Sequence, residues 1–437
     1  MIQKVFISPF QRFVKIESLS GILLFCAAVI AVIWANSPFS ESYTDLWNFK
    51  IGISSENFEL QKPLLLWVND GFMAIFFFLI GLEIKRELLI GELNSVKKMA
   101  FPFVAALGGM LIPMFFFMFL NANPETSNGW GIPMATDIAF SLAVLKLLGN
   151  RIPLSLKIFL TAFAIVDDIG AVLVIAVFYT NNIAIDMLIY GAVLLLVLYY
   201  LTYKGIYSKY FLFGTGIIVW VLFLKSGVHP TIAGILLAFA VPIRQRISTK
   251  TFVSNLSSIT NKIQKGVIED EPVLSKEQIA EIDNLEEWTD KFQSPLQHLE
   301  HKLHDWVAYF IIPIFALANA GVSLSSDAGI DTALALNITL CLIFGNSIGI
   351  TTLVLLTNKL KIIEIPEDIS KAQILGVACL AGIGFTMAIF VASLAFSDTP
   401  IYVDSAKIGI LAGSMLSALL GYTILRITSK PNPKNDD

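Results

Sequence analysis

A chain of 437 residues that is 56% hydrophobic, only 15% charged and has a mean hydropathy of +0.73 is too apolar for a water-soluble enzyme. Its formal net charge of −4 averages over two differently charged faces and offers no basic surface for nucleic acid. Cys26, Cys341 and Cys379 all lie in apolar stretches and form neither a disulfide framework nor a zinc spacing.

The composition and patterning predict an all-α polytopic membrane protein, one transmembrane domain over 1–437 with about twelve spans. These fall near 18–35, 63–82, 99–120, 132–148, 153–178, 183–201, 208–224, 228–243, 305–320, 332–356, 372–396 and 404–425. The basic N-terminus followed by the apolar run Ser20 to Trp34 has no small-residue cleavage site and reads as span one. An even count puts both termini on one side. Most lysines and arginines near span ends, from Lys4 and Arg12 to Arg426, then face the cytoplasm, and Lys50, Lys62, Lys225 and Lys407 face outward. The outer loop 36–62 has strand-like alternation in FKIGI and FELQ.

Glu83, Lys85, Arg86 and Glu87 close span two, and Glu300, His301 and His304 lead into span nine. Histidine beside carboxylate titrates near neutrality, so the cluster is either a pH-responsive network or a set of salt bridges that anchors helix ends. His298, His301 and His304 recur every three residues but lack the ligand set a metal would need. His229 reads as a helix-end residue. Between spans eight and nine, 247–300 forms a polar, then acidic, cytoplasmic insertion loop, and 426–437 a cytoplasmic tail. Ile279, Ile282, Leu285 and Trp288 have the spacing of an amphipathic helix, so the insertion is either a regulatory docking element or a solvated linker.

Asp137 in span four, and Asp167 and Asp168 in span five, stand where a lipid-facing helix carries no charge. Each ionised carboxylate at mid-membrane costs roughly 2.5–3.5 kcal/mol, and those retained usually handle cations or protons. Span four is interrupted by Gly131, Pro133 and Thr136, and span eleven by Gly382 and Gly384. Broken helices in corresponding positions of two halves point to a transporter site, because unwound backbone at that depth needs a protein-lined cavity. An inverted repeat of spans three to five against ten to twelve, with spans four and eleven broken and crossing, is the expected core. Adjacent helix positions differ by about 100°, so Asp167 and Asp168 cannot both face one ion squarely.

The stretches LLWVNDGFMAIFFFLIGLEIKREL, GIPMATDIAFSLAVLKLLGNRIPLSLKIFLTAFAIVDDIGAV, LKSGVHPTIAG, LEHKLHDWVAYFIIPIFALANAGVSL and AGIGFTMAIFVASLAF resemble the NhaA-type Na+/H+ antiporters, over nearly the whole chain outside about 247–295. The resemblance implies a bacterial inner-membrane protein that exports Na+ or Li+ in exchange for protons, without a cofactor, and often as a homodimer joined through the outer hairpin. It makes Asp167 and Asp168 the cation- and proton-binding pair that holds Na+, with Asp137 and Thr136 beside the crossing. Hard oxygen ligands suit Na+. A carboxylate held away from water exchanges a proton for a cation because one site cannot hold both. The resemblance also associates Glu83, Glu87, Glu300 and His301 with pH regulation, together with the neighbouring Arg86 and His304. In one respect the chain departs from the family: the lysine expected in span ten is Asn346, in LIFGNSIGI. That substitution puts the stoichiometry and electrogenicity in doubt. The alternative function is a Na+-coupled symporter of an organic solute, although few buried polar side chains are available to orient one.

Overall fold

The computed structural model describes residues 9–55, 58–180, 183–245, 247–265, 274–323 and 329–429, and among these the chain is almost wholly helical. Seven helices are long and apolar enough to cross a bilayer: Leu64–Leu89, Lys97–Leu120, Leu154–Phe178, Ile185–Tyr203, Lys209–Ser226, Thr332–Lys359 and Pro400–Thr428. In chain order they are spans two, three, five, six, seven, ten and twelve. Span one, Leu19–Ala35, is followed by Ser40–Asn48 at 113°. Spans four and eleven are bent pairs: Pro124–Met134 with Ile138–Leu147 at 50°, and Lys371–Ala381 with Phe385–Ala395 at 45°. Span eight is the short Pro230–Ala240; the polar helix Pro295–Trp306 leads into span nine, which passes through a π-turn, Val307–Ile311, into Ile312–Asn319.

Local chemistry explains the breaks. Pro124–Met134 is a 3₁₀ segment that Pro133 prevents from continuing as an α-helix, and the chain is then extended at Ala135 until Asp137 caps Ile138–Leu147. Span eleven opens on a Ser370–Gln373 capping box and breaks at Gly382–Gly384. The long, broken, long order of spans three to five recurs in ten to twelve. Spans three and ten touch backbone to backbone: a Cβ on Gly349 would lie 2.2 Å from the Gly108 carbonyl oxygen, and one on Gly108 would lie 2.5 Å from that of Gly349. Without a hydrophobic drive between helices in lipid, such close approach of small residues is what joins them. Spans two and nine are tied by a reciprocal amide pair, with Asn319 Nδ2 donating to Asn69 Oδ1 at 2.7 Å and Asn69 Nδ2 donating to Asn319 Oδ1 at 3.2 Å.

The outer loop contains the expected strands, Lys50–Ser55 paired antiparallel with Phe58–Pro63, with Ile51 opposite Lys62 and Ile53 opposite Leu60. The insertion contains the helix expected from the spacing of Ile279, Ile282, Leu285 and Trp288. Its described part consists of two helices, Thr249–Lys265 and Lys276–Phe292. Phe252 stacks on Phe292 at 4.2 Å and Lys262 pairs with Glu281 at 2.8 Å, so the two run antiparallel as a hairpin. Its base is closed by Ser294 Oγ donating to Ile243 O at 2.7 Å and by Leu296 N–H donating to Pro242 O at 3.1 Å. Two half-apolar helices bury their faces on each other, a pairing that charge pattern does not disclose. Residues 266–273 of the insertion, 430–437 of the expected tail, Lys4 and Arg246 lie outside the described residues.

Substitution of Gly349 by leucine should cost about 3 kcal/mol, because backbone at the contact cannot yield as a side chain does. A thermal midpoint in detergent would register the loss. Gly214→Ala, inside Lys209–Ser226 and with nothing within 4 Å of the added methyl, should leave the midpoint unchanged or raise it slightly, because alanine is the better helix former.

Candidate functional site

Spans four and eleven cross at their breaks, and each supplies what the other's helix ends lack. At the end of Lys371–Ala381, Ser141 Oγ donates to Leu380 O at 2.9 Å, Thr136 Oγ1 to Ala381 O at 2.9 Å, and the Asp137 N–H to Ile383 O at 2.6 Å. The Ala381 and Ile383 carbonyls would otherwise be left unpaired in apolar surroundings, while Leu380 O also accepts the Ile383 N–H at 3.1 Å. The reverse service comes from the Asp137 carboxylate. Its Oδ1 accepts the Phe140 N–H at 3.0 Å, while Oδ2 accepts the Thr386 N–H at 3.1 Å and the Thr386 hydroxyl at 2.7 Å. One buried carboxyl group therefore caps the N-termini of two half-helices, through N–H groups of both. Ser414, from span twelve, accepts the Gly384 and Phe385 N–H groups at 3.2 Å. Gly384 is required by the crossing, since a Cβ there would meet the Ala135 carbonyl oxygen at 2.7 Å.

Asn346 reaches the same crossing from span ten. It is fully buried, and its Nδ2 donates to Pro133 O at 3.1 Å, at the end of the first half of span four. Its side chain is thus a neutral donor bound to a helix-end carbonyl.

Asp167 and Asp168 are 1% and 4% exposed on span five. The N–H and hydroxyl of Thr136 are the polar groups beside Asp167. The hydroxyl proton goes to Ala381 O at 2.9 Å, and neither oxygen of Asp167 receives a well-formed hydrogen bond. Asp168 stands among three other carboxylates, Asp167, Glu83 and Asp137, whose charges repel its own. The arrangement thus contains two kinds of buried carboxylate: Asp137, fully engaged by donors, and Asp167, with none.

The second expected cluster is largely assembled. Arg86 Nε lies 3.0 Å from Glu300 Oε1 and its Nη2 lies 3.1 Å from Glu87 Oε1, while His304 Nδ1 lies 3.8 Å from Glu83 Oε1. Glu83 and His304 are buried. Burial pushes the Glu300 carboxyl up to about 7 against the pull of Arg86, with Glu83 adding repulsion. Glu83 acts on both Glu300 and Asp168, and so connects this cluster to the aspartate pair. His301 is exposed and stands apart from the ion pairs. Lys85 also turns away, with its Nζ donating to Phe239 O at 2.7 Å and Val241 O at 2.5 Å to cap span eight.

Thr386, Ser141 and Ser414 were not evident as site residues from the sequence. Thr386 had a usable signal: it is a polar residue two positions past a glycine break, as Asp137 stands shortly past the break of span four. Ser141 and Ser414 are single hydroxyls in apolar helices and carry no such mark.

A family model described as Na+/H+ antiporter 1 matches residues 11–425, from span one to the end of span twelve. The chain is 46% identical over 426 residues to a protein named Na(+)/H(+) antiporter NhaA from Oleidesulfovibrio alaskensis, covering 96% of this chain and 94% of the relative. It is 44% identical to Na(+)/H(+) antiporter NhaA 1 of Saccharophagus degradans, covering 95% and 90%, and 42% identical to the NhaA of Bacteroides thetaiotaomicron, covering 95% and 97%. Likeness of that extent leaves no part of the crossing, the aspartate pair or the Glu83 cluster outside the shared sequence, and the chain belongs to the NhaA family of Na+/H+ antiporters, membrane-embedded secondary transporters rather than enzymes.

Proposed function

We propose that this chain exports Na+ or Li+ in exchange for protons by alternating access, with Asp167 and Asp168 as the exchanging pair. The observation that carries this reading is a buried carboxylate, Asp167, with no hydrogen-bond donor, beside an extended backbone segment at the crossing of two broken helices. An uncompensated anion in such a place is costly, so it must hold a proton or a cation. Proton and Na+ then displace each other, and that competition couples their opposed movements. Asp137 enters the reading as a fixed counter-charge for two helix ends, because its oxygens are already occupied. Thr136 spaces the Asp167 carboxylate from the end of Lys371–Ala381.

The termini face the cytoplasm in this reading, since that orientation puts most span-end lysines and arginines inside. The Glu83, Arg86, Glu87, Glu300 and His304 cluster then lies on the cytoplasmic side, where protonation of Glu300 near neutrality would alter the field that Glu83 shares with Asp168. The outer strand pair suits a homodimer contact.

In proteoliposomes, addition of Na+ should drive proton movement in the wild type, and Asp168→Asn should reduce it to the protein-free background. Absence of flux in the wild type between about pH 6 and about pH 9, where perturbed carboxylates and histidines titrate, would favour the symporter instead. Electrogenicity is tested by clamping the voltage with valinomycin and K+. Asn346→Lys restores a cation at the crossing and should change the response to the clamp; an unchanged response and pH profile would show that this position does not set the charge moved.

Glu300 gives a prediction with a definite sign. A carboxyl raised from its ordinary 4.5 to about 7 binds more protons in the folded state than in the unfolded state between those values, so its contribution to stability falls as pH rises through that window. The thermal midpoint of the wild type should therefore drop more between about pH 5 and about pH 8 than that of Glu300→Gln, whose side chain does not titrate. The transport rate of the variant should also lose part of its pH dependence near neutrality.

A further inference from the structure

We propose that the amide oxygen of Asn346 is a direct ligand of the transported cation in this chain, acting together with the Asp167 carboxylate. The proposal rests on the antiporter reading and extends it to a further residue at the crossing.

The orientation of the amide is set by chemistry. The carbonyl oxygen of Pro133 can only accept, so the group facing it at 3.1 Å must be the NH2 of Asn346. That bond forces Oδ1 to the other side, where it has no donor although the residue is fully buried. Oδ1 faces the seam between spans three and five: a Cβ built on Gly109 would lie 3.4 Å from it and 3.4 Å from Phe163 Cζ. Phe163 is one helical turn before Asp167 on the same face of span five. Thr136, beside Asp167, is three residues beyond Pro133. Asn346 is thus held at the near end of the extended segment by its NH2, with its unpartnered Oδ1 turned to the Phe163 side of span five, one turn from Asp167, whose two oxygens are likewise unpartnered.

Three buried acceptors without donors form a poor structural arrangement and a good set of hard oxygen ligands. A lysine at position 346 could donate but could never ligate, since an ammonium has no acceptor. Asparagine reverses that. It keeps one donor for the helix-end carbonyl and turns an oxygen towards the space a dehydrated Na+ would occupy.

The experiment compares wild type, Asn346→Leu and Asn346→Asp, each first checked for a monodisperse profile. Initial proton fluxes are measured against Na+ and Li+ concentration in proteoliposomes, and stabilisation by Na+ is measured separately as a thermal shift in detergent. Leucine keeps the volume and removes both polar atoms. An ionised aspartate keeps a ligand oxygen but cannot donate to Pro133. The expected result is an apparent KM for Na+ raised roughly tenfold or more in Asn346→Leu, with the Na+ thermal shift reduced to match, and near-wild-type values in Asn346→Asp. A KM and thermal shift unchanged by leucine would overturn the ligand role. So would an aspartate variant as impaired as the leucine one, which would mean that Asn346 serves only to cap Pro133. Should Asn346→Leu fail to fold, Asn346→Asp decides alone: near-wild-type KM and Na+ thermal shift support the ligand role, and a KM raised roughly tenfold or more overturns it. A wild type with neither Na+-driven flux nor Na+ stabilisation would instead sink the antiporter reading itself.

Discussion

Everything at the centre of this protein depends on one constraint: backbone N–H and C=O groups released by a helix break cannot be left unpaired where there is no water. Each such group would cost several kcal/mol in an apolar medium. Two breaks placed against each other meet that cost mutually. The hydroxyls of Thr136 and Ser141 and the N–H of Asp137 serve the carbonyl end of the first half of span eleven. The Asp137 carboxylate serves the amino ends of the second halves of both spans. The crossing is thus a small hydrogen-bonded assembly inside a helical membrane protein, and its parts are polar because the backbone there requires it.

This accounts for the different states of chemically identical aspartates. Asp137 and Asp167 are both buried carboxylates, yet the first is surrounded by donors and the second has none. A fully satisfied anion has little to gain from a proton or a metal ion. An unsatisfied one is available to both. The division follows from backbone geometry: Asp137 sits at a helix N-terminus, whereas Asp167 is in the interior of an unbroken helix whose own amides are already paired.

Glu83 joins this centre to the ion pairs at the far ends of spans two and nine. It is buried near His304 and acts electrostatically on both Glu300 and Asp168. Spans two and nine are also held together elsewhere by the Asn69–Asn319 amide pair.

The sequence alone determined the all-α, membrane-spanning class, the order of the long apolar helices, the positions of the two breaks and the acids placed within spans four and five. These are properties of single segments: a run of about 20 apolar residues, a proline or glycine pair within it, or an acid where lipid would exclude one. The strands of the outer loop were legible for the same reason, from alternation in FKIGI and FELQ. Tertiary structure decided what those residues do to one another. It engaged Asp137 with Thr386 from a helix some 250 residues away, tied Asn346 to Pro133, left His301 outside the ion pairs it adjoins in sequence, and folded the insertion into a hairpin by stacking Phe252 on Phe292. Periodicity reports which face of a helix is apolar; it carries no information about which distant donor will meet an orphaned oxygen, because that is fixed only when helices pack.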